Sequence, residues 1–208
     1  MKSCSNHWWK SSPERRGVIT LIVILIFPVI MSLFGGMVDL ARLWQARTEL
    51  TTALDAAVLS GVKTWSEGGN STANRSDARD DALEAAAANT VVGQNVNSPS
   101  TAEPVTLNAN EGVGVDANDN ASPDGELVLG ALQTSGGGTI YTFCSNSSPG
   151  GSSSFAIRAR KTVTVHSIWK ELLGVNVASL SSTAESAGAI LAGAAEHLHV
   201  QVISSTCP

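Results

Sequence analysis

The stretch GVITLIVILIFPVIMSLFGGMV, Gly17 to Val38, carries no charge and is fenced by Arg15 and Arg16 before it and by Asp39 and Arg42 after it. As a helix rising about 1.5 Å per residue it extends roughly 33 Å, enough to cross a hydrocarbon core about 30 Å thick. Dominated by Ile, Leu, Val, Met and Phe, it predicts a transmembrane helix rather than the buried helix of a soluble domain. A cleaved secretory signal fits poorly, because its apolar core is about 7–15 residues long and ends at an Ala-x-Ala-like site. No such site follows Val38, so the expectation is an uncleaved signal anchor contacting membrane lipid.

Working outward, residues 1–16 carry Lys2, Lys10, Arg15 and Arg16 against Glu14 alone, whereas Arg42 and Arg47 are balanced by Asp39 and Glu49. The positive flank stays in the cytoplasm. A single-pass protein of a bacterial inner membrane is expected, with its N-terminus cytoplasmic and its C-terminus periplasmic. Trp8 and Trp9 on one side and Trp44 on the other suit the two interfaces, where an amphipathic indole is favoured. Pro28 removes a backbone donor near mid-span and kinks the helix. Ser32 and Gly36 form a small-xxx-small face that could admit a partner helix, and so a second copy, or simply face lipid.

With 13 Lys and Arg against 18 Asp and Glu, net −5, the chain lacks the basic field that phosphate binding needs, which argues against nucleic acid as a partner. Of three cysteines, Cys4 falls on the expected cytoplasmic side and Cys144 and Cys207 on the oxidising side. A Cys144–Cys207 disulfide would tie down the C-terminal tail; two free or intermolecular thiols are the alternative.

Beyond the span, Leu43, Ala46, Leu50, Ala53, Leu54, Ala57 and Val58 recur at spacings of three and four, one apolar stripe on a helix running to about Thr64. The stripe reads first as domain core and second as a partner surface, and Asp39, Arg42 and Asp55 read as solvated charges beside it. Gly68 and Gly69 end the run. A second helix is expected from about Ser76 to Ala88, with Ser76 as N-cap and Asp77, Asp80 and Asp81 in the first turn. Residues 93–125 lose periodicity and read as a loop-rich linker.

Period two then appears at Phe155, Ile157, Ala159, Val163 and Val165, a half-buried strand in which Lys161 marks a bend or bulge. Glu126 to Leu132 is a shorter strand candidate. Ser167 should cap a two-turn helix ended by Gly174, with Val175 and Val177 resuming a strand. Ala184 to Ala195 is ambiguous, and Leu198, Val200 and Val202 alternate like a last strand. The fold class expected is α+β: an anchor helix continuing into a long helix packed on a small antiparallel sheet. Its divisions are a tail over 1–16, the span over 17–38, a helical extension over 39–92, the linker over 93–125 and a β-rich region over 126–208.

One combination is more specific than its pieces: Arg15-Arg16-Gly17, the span with Pro28, Val38-Asp39-Leu40-Ala41-Arg42, Ala46-Arg47-x-x-Leu50, and Leu54-Asp55-Ala56-Ala57-Val58-Leu59-Ser60-Gly61. Over residues 15–62 it resembles the TadG-like family of Flp/Tad pilus-assembly proteins. The resemblance puts Arg16, Gly17, Pro28, Asp39, Arg42, Leu50, Asp55, Ala56, Ala57 and Gly61 at motif positions. It implies a single-pass structural component of a pilus or export system, with other pilus-assembly or pilin proteins as partners. Two departures accompany it. The Asp-x-Ser-x-Ser metal motif of larger members is absent, and where related pseudopilins place Glu five positions after the cleaved Gly, Gly17 is followed by Ile22.

No reaction is expected. Asp116, Asn118 and Asn120 begin like a calcium loop, but Ala121 replaces the turn glycine and Leu127 stands where the bidentate Glu belongs. His197 and His199 could share a strand face but lack a further ligand cluster. No nucleophile elbow, phosphate loop or Cys-x-x-Cys pair occurs. The sequence therefore predicts no cofactor and no catalytic or metal residue. A membrane-tethered surface or adhesion protein unrelated to pili is the alternative reading.

Overall fold

The computed structural model describes residues 14–95, 97–98, 100–108, 125–135, 140–145, 149, 154–169 and 179–190. The chain divides into two compact units, Met1–Leu40 and Ala41–Pro208. Helix α1, Glu14–Gly68, takes in the whole apolar stretch and the stripe after it, with Pro28 inside. It stops at Gly69, whose φ of 83° suits a residue without a Cβ.

Helix α2, Thr72–Ala87, begins a turn earlier than expected. Its N-cap is Ser71, not Ser76: Ser71 Oγ accepts from the Asn74 N–H at 3.1 Å. The Asn74 amide donates in turn to the carbonyls of Gly68 and, at 3.1 Å, Gly69. One side chain thus satisfies carbonyls left open at the end of α1 while its own backbone is capped, which fixes the helix hairpin. Asp77, Asp80 and Asp81 consequently lie beyond the first turn, and Asp81 accepts from the Thr64 hydroxyl across the two helices.

Strands β1, Thr90–Val92, and β2, Ala102–Pro104, form a small antiparallel pair. Residues 90–92 are thus strand, inside what the sequence suggests is helical extension. They are fastened to α1, where the Glu49 carboxylate accepts from the Val92 N–H at 2.9 Å. The main sheet comprises β3 (Leu127–Ser135), β4 (Ile140–Cys144), β5 (Ser154–His166) and β6 (Ser179–Ile190), in spatial order β4-β3-β5-β6 and antiparallel throughout.

Buried Ala46, Leu50, Leu54, Ala57, Val58 and Trp65 of α1 meet Ala78, Ala82 and Ala86 of α2, and Leu127, Ile157, Val163 and Val165 of the sheet, in one core. The stripe is therefore core. Trp65 stands edge-on to Phe155, ring centroids 5.1 Å apart, the arrangement aromatic quadrupoles favour.

Period two in β5 holds from Thr162 onward, where Thr162 and Thr164 are exposed. Its first half is buried on both faces: Ala156 joins Val128, Leu132, Phe143 and Ala189 in a second cluster. Lys161 makes no bulge, since pairing with β6 runs unbroken from Phe155↔Ile190 to His166↔Ser179. Its ammonium instead donates to both carboxylate oxygens of Glu126, at 2.7 and 2.9 Å. The ambiguous run after Ala184 is strand as far as Ile190. Ser167 Oγ accepts from the Trp169 N–H at 3.2 Å, as a cap would. The remainder of that helix, the strand at Val175 and Val177, the calcium-like run from Asp116, and the run with His197, His199 and Leu198 to Val202 lie outside the described residues.

Candidate functional site on the first helix

Between Val18 and Leu40 large apolar side chains stay exposed: Leu25 by 67%, Phe34 by 63% and Met37 by 67%. Only 6% of the most apolar stretch is buried within the molecule. The core helix of a soluble domain would bury such a stretch, so this surface has the composition and length of one that meets hydrocarbon. At the proline, Ser32 Oγ donates to the Pro28 carbonyl at 2.8 Å, a local bond that keeps the hydroxyl satisfied in an apolar setting. Gly36, one turn on, has nothing within 4 Å of where a Cβ would stand. Asp39 and Arg42 follow within the next two turns, and Trp44 is 68% exposed. Arg16 and Gly17 belong to α1 by their backbone.

From Ala46 onward the same helix changes character, and here the motif positions acquire physical reasons. Leu50 and Ala57 are fully buried and Ala56 is half-buried. Asp55 is not the solvated charge its sequence position suggests. It is half-buried and accepts from the Ser186 hydroxyl of β6, 131 residues away. At Gly61 α1, α2 and the sheet all come close. A Cβ there would stand 2.7 Å from the Ala78 carbonyl oxygen, 2.9 Å from Ile157 Cδ1 and 3.0 Å from Ala82 Cβ. One turn earlier the relation is reversed, as a Cβ on Gly188 of β6 would meet Val58 Cγ1 at 2.5 Å. The run from Leu54 to Gly61 is thus the seam between helix and sheet, one polar bond flanked by close backbone approaches. Ser186 and Gly188 carry half of that seam, and no local pattern singles them out.

Cys144 ends β4 and is disulfide-bonded. The expected partner, Cys207, lies outside the described residues, as does Cys4. On the sheet face away from the helices, Arg158 is buried, lies 5.6 Å from the centroid of the Phe143 ring and 3.6 Å from the Glu185 carboxylate. This cation is held by a ring face and an acid, an arrangement that supports packing more than chemistry. Among the described residues no group of three or more His, Cys, Asp or Glu side chains is placed to hold a metal ion.

Residues 17–79 match the Tad family, described as Flp pilus-assembly TadE/G-like. That is just under a third of the chain, and it runs from the start of the apolar stretch through the helix hairpin into α2. No curated protein and no solved structure matches. The exposed apolar stretch, the buried stripe and the seam at Asp55 and Gly61 all fall within the matched residues, and it is this segment of the chain that is similar to the TadE/G-like family.

Proposed function

We propose that the protein is a single-pass, membrane-anchored structural component of a Flp/Tad-type pilus-assembly or export system in a bacterial inner membrane. The observation that carries this reading is the coincidence of the family match over 17–79 with an apolar helical surface left exposed by the rest of the molecule. Lys2, Lys10, Arg15 and Arg16 favour a cytoplasmic N-terminus. The disulfide at Cys144 suits a domain on the oxidising side. Cys207 is its proposed partner, because Cys4 would lie across the membrane. Ser32 and Gly36 offer a face for lateral pairing of anchors, and the domain supplies docking for pilins or other assembly proteins. The role is mechanical, tethering and presenting a folded domain, and no step of covalent chemistry is assigned to it.

The test is topological. Protease added outside spheroplasts should degrade the domain while leaving an N-terminal tag intact, and a non-reducing digest should contain a Cys144–Cys207 linked peptide. A protected domain, or Cys144 linked elsewhere, would overturn the orientation or the pairing respectively.

A further inference from the structure

We propose that Arg47, with Trp44 one turn before it, binds a phospholipid headgroup, the guanidinium holding the phosphodiester and the indole seated beside it. This rests on the anchor reading above and adds to it a ligand and the residue that takes it.

The apolar stretch ends at Val38, and α1 runs on without a break to Gly68. Along that helix Trp44 lies about 9 Å and Arg47 about 14 Å beyond Val38. The headgroup layer adds roughly 5–7 Å to each side of the hydrocarbon core. Side chains on an α-helix lean toward its N-terminus, covering the turn before their own Cα, and here that direction is toward the apolar stretch. A turn of lean brings the Arg47 guanidinium back to about 8 Å, at the outer margin of the headgroups, and the Trp44 indole to about 4 Å, inside them.

Both side chains are open to a ligand. Trp44 is 68% exposed and Arg47 is exposed, outside the buried stripe of Ala46, Leu50 and Ala53. The cation also has no acid of its own. Three and four positions to either side, where a helical ion pair forms, stand Leu43, Trp44, Leu50 and Thr51. Glu49, the nearest acid in the sequence, accepts from the Gln45 amide at 2.8 Å and from the Val92 N–H at 2.9 Å. Among the described residues the ion pairs join Arg158 to Glu185 and Lys161 to Glu126, and neither involves Arg47. Arg42, nearer the apolar stretch, differs: it is half-buried and already has an interaction within the molecule.

The neighbouring hydroxyls do not compete for an anion. Thr48 and Thr51 donate to the Trp44 and Arg47 carbonyls, at 3.0 and 2.9 Å. The donors left on this part of α1 are the guanidinium and the indole N–H. A guanidinium meets a phosphodiester with two parallel N–H···O bonds, and an amphipathic indole is favoured where hydrocarbon gives way to headgroups. An acidic protein segment would answer the charge alone. A phospholipid answers both features, its chains lying against the apolar stretch and its phosphate against the cation.

The experiment is solid-state NMR of the full chain in vesicles of phosphatidylethanolamine and phosphatidylglycerol, with arginine isotopically labelled at Cζ and lipid phosphorus as the dephasing partner. The Arg47 signal, identified by its loss in Arg47→Gln, should be dephased by phosphorus at about 4 Å, the separation a charge-assisted pair implies. The Arg75 signal should not be, since its Nε donates to Asn70 Oδ1 at 3.0 Å on the helix hairpin. Lipid brominated high on its acyl chains should quench Trp44, read as the difference from Trp44→Phe, more strongly than lipid brominated at the chain ends. An undephased Arg47 in vesicles that retain the protein through alkaline extraction would overturn the headgroup site and leave the anchor standing. Release of the protein by that extraction would overturn both. Equal dephasing by inorganic phosphate added in a phosphate-free detergent would make this a site for soluble anions and would overturn the proposal as well.

Discussion

Leu54→Asp should destabilise the folded domain severely. Leu54 is fully buried between Leu50, Ala57 and Val58 on the stripe and the sheet beneath. Truncating such a residue to alanine costs about 2–5 kcal/mol. Aspartate adds the penalty of an ionised carboxylate with no partner, for a total of about 5 kcal/mol or more. Domains of this size have about 5–15 kcal/mol in hand, so about a third of that reserve or more is lost. The check is urea unfolding of the full chain in mild detergent, followed by the near-ultraviolet dichroism of Trp65. Leu59→Asp, on the exposed flank of the same helix, is the matched control and should shift stability by about 0.5 kcal/mol or less. Equal, small effects of the two would mean that the stripe is a surface and not core.

Gly61→Leu should cost about 3 kcal/mol, at the upper end of what overpacking does. Two effects oppose each other here. A glycine inside a helix sacrifices about 1 kcal/mol relative to alanine, so substitution would stabilise an isolated α1. Against that stands the Ala78 carbonyl oxygen 2.7 Å from the new Cβ, a backbone atom that moves only if α2 moves with it. The clash wins, and the outcome is a lower urea midpoint with far-ultraviolet helicity retained. An unchanged or raised midpoint would show that α1 and α2 do not approach as closely as described.

The parts legible in the sequence are those whose signal is local. The apolar stretch, the stripe from Leu43 to Val58 and the alternation in β5 are each written in consecutive residues, and each forms the expected element. The misses have nonlocal causes. Ser76 followed by three aspartates looks like a better helix start than Ser71. Asn74 decides it by reaching back to Gly68 and Gly69, a bond between two helices that neither helix sequence contains. β1 and β2 are three residues each and β4 is five, too short for alternation to show. β6 is built mainly of serine, alanine and glycine, whose weak strand preference is overridden by twelve ladder partners in β5. Asp55 read as a surface charge because its partner, Ser186, arrives from the far end of the sequence.

Small residues recur along the seam. Ala57 and Gly61 on the helix and Gly188 on the strand let two backbones approach, and Asp55 fixes their register through one hydroxyl. A helix so fastened at one end and apolar at the other is compatible with a single-pass anchor.

The most direct test of that account is to isolate the tagged, full-length protein from its native membranes in mild detergent, identify its companions by mass spectrometry and read its N-terminus in the same sample. An intact Met1 together with pilin or Tad-type motor or platform subunits is expected. A chain beginning at Val18 would make it a processed pseudopilin, and an isolate free of any pilus-system subunit would contradict the assembly role and favour an independent membrane-tethered surface protein.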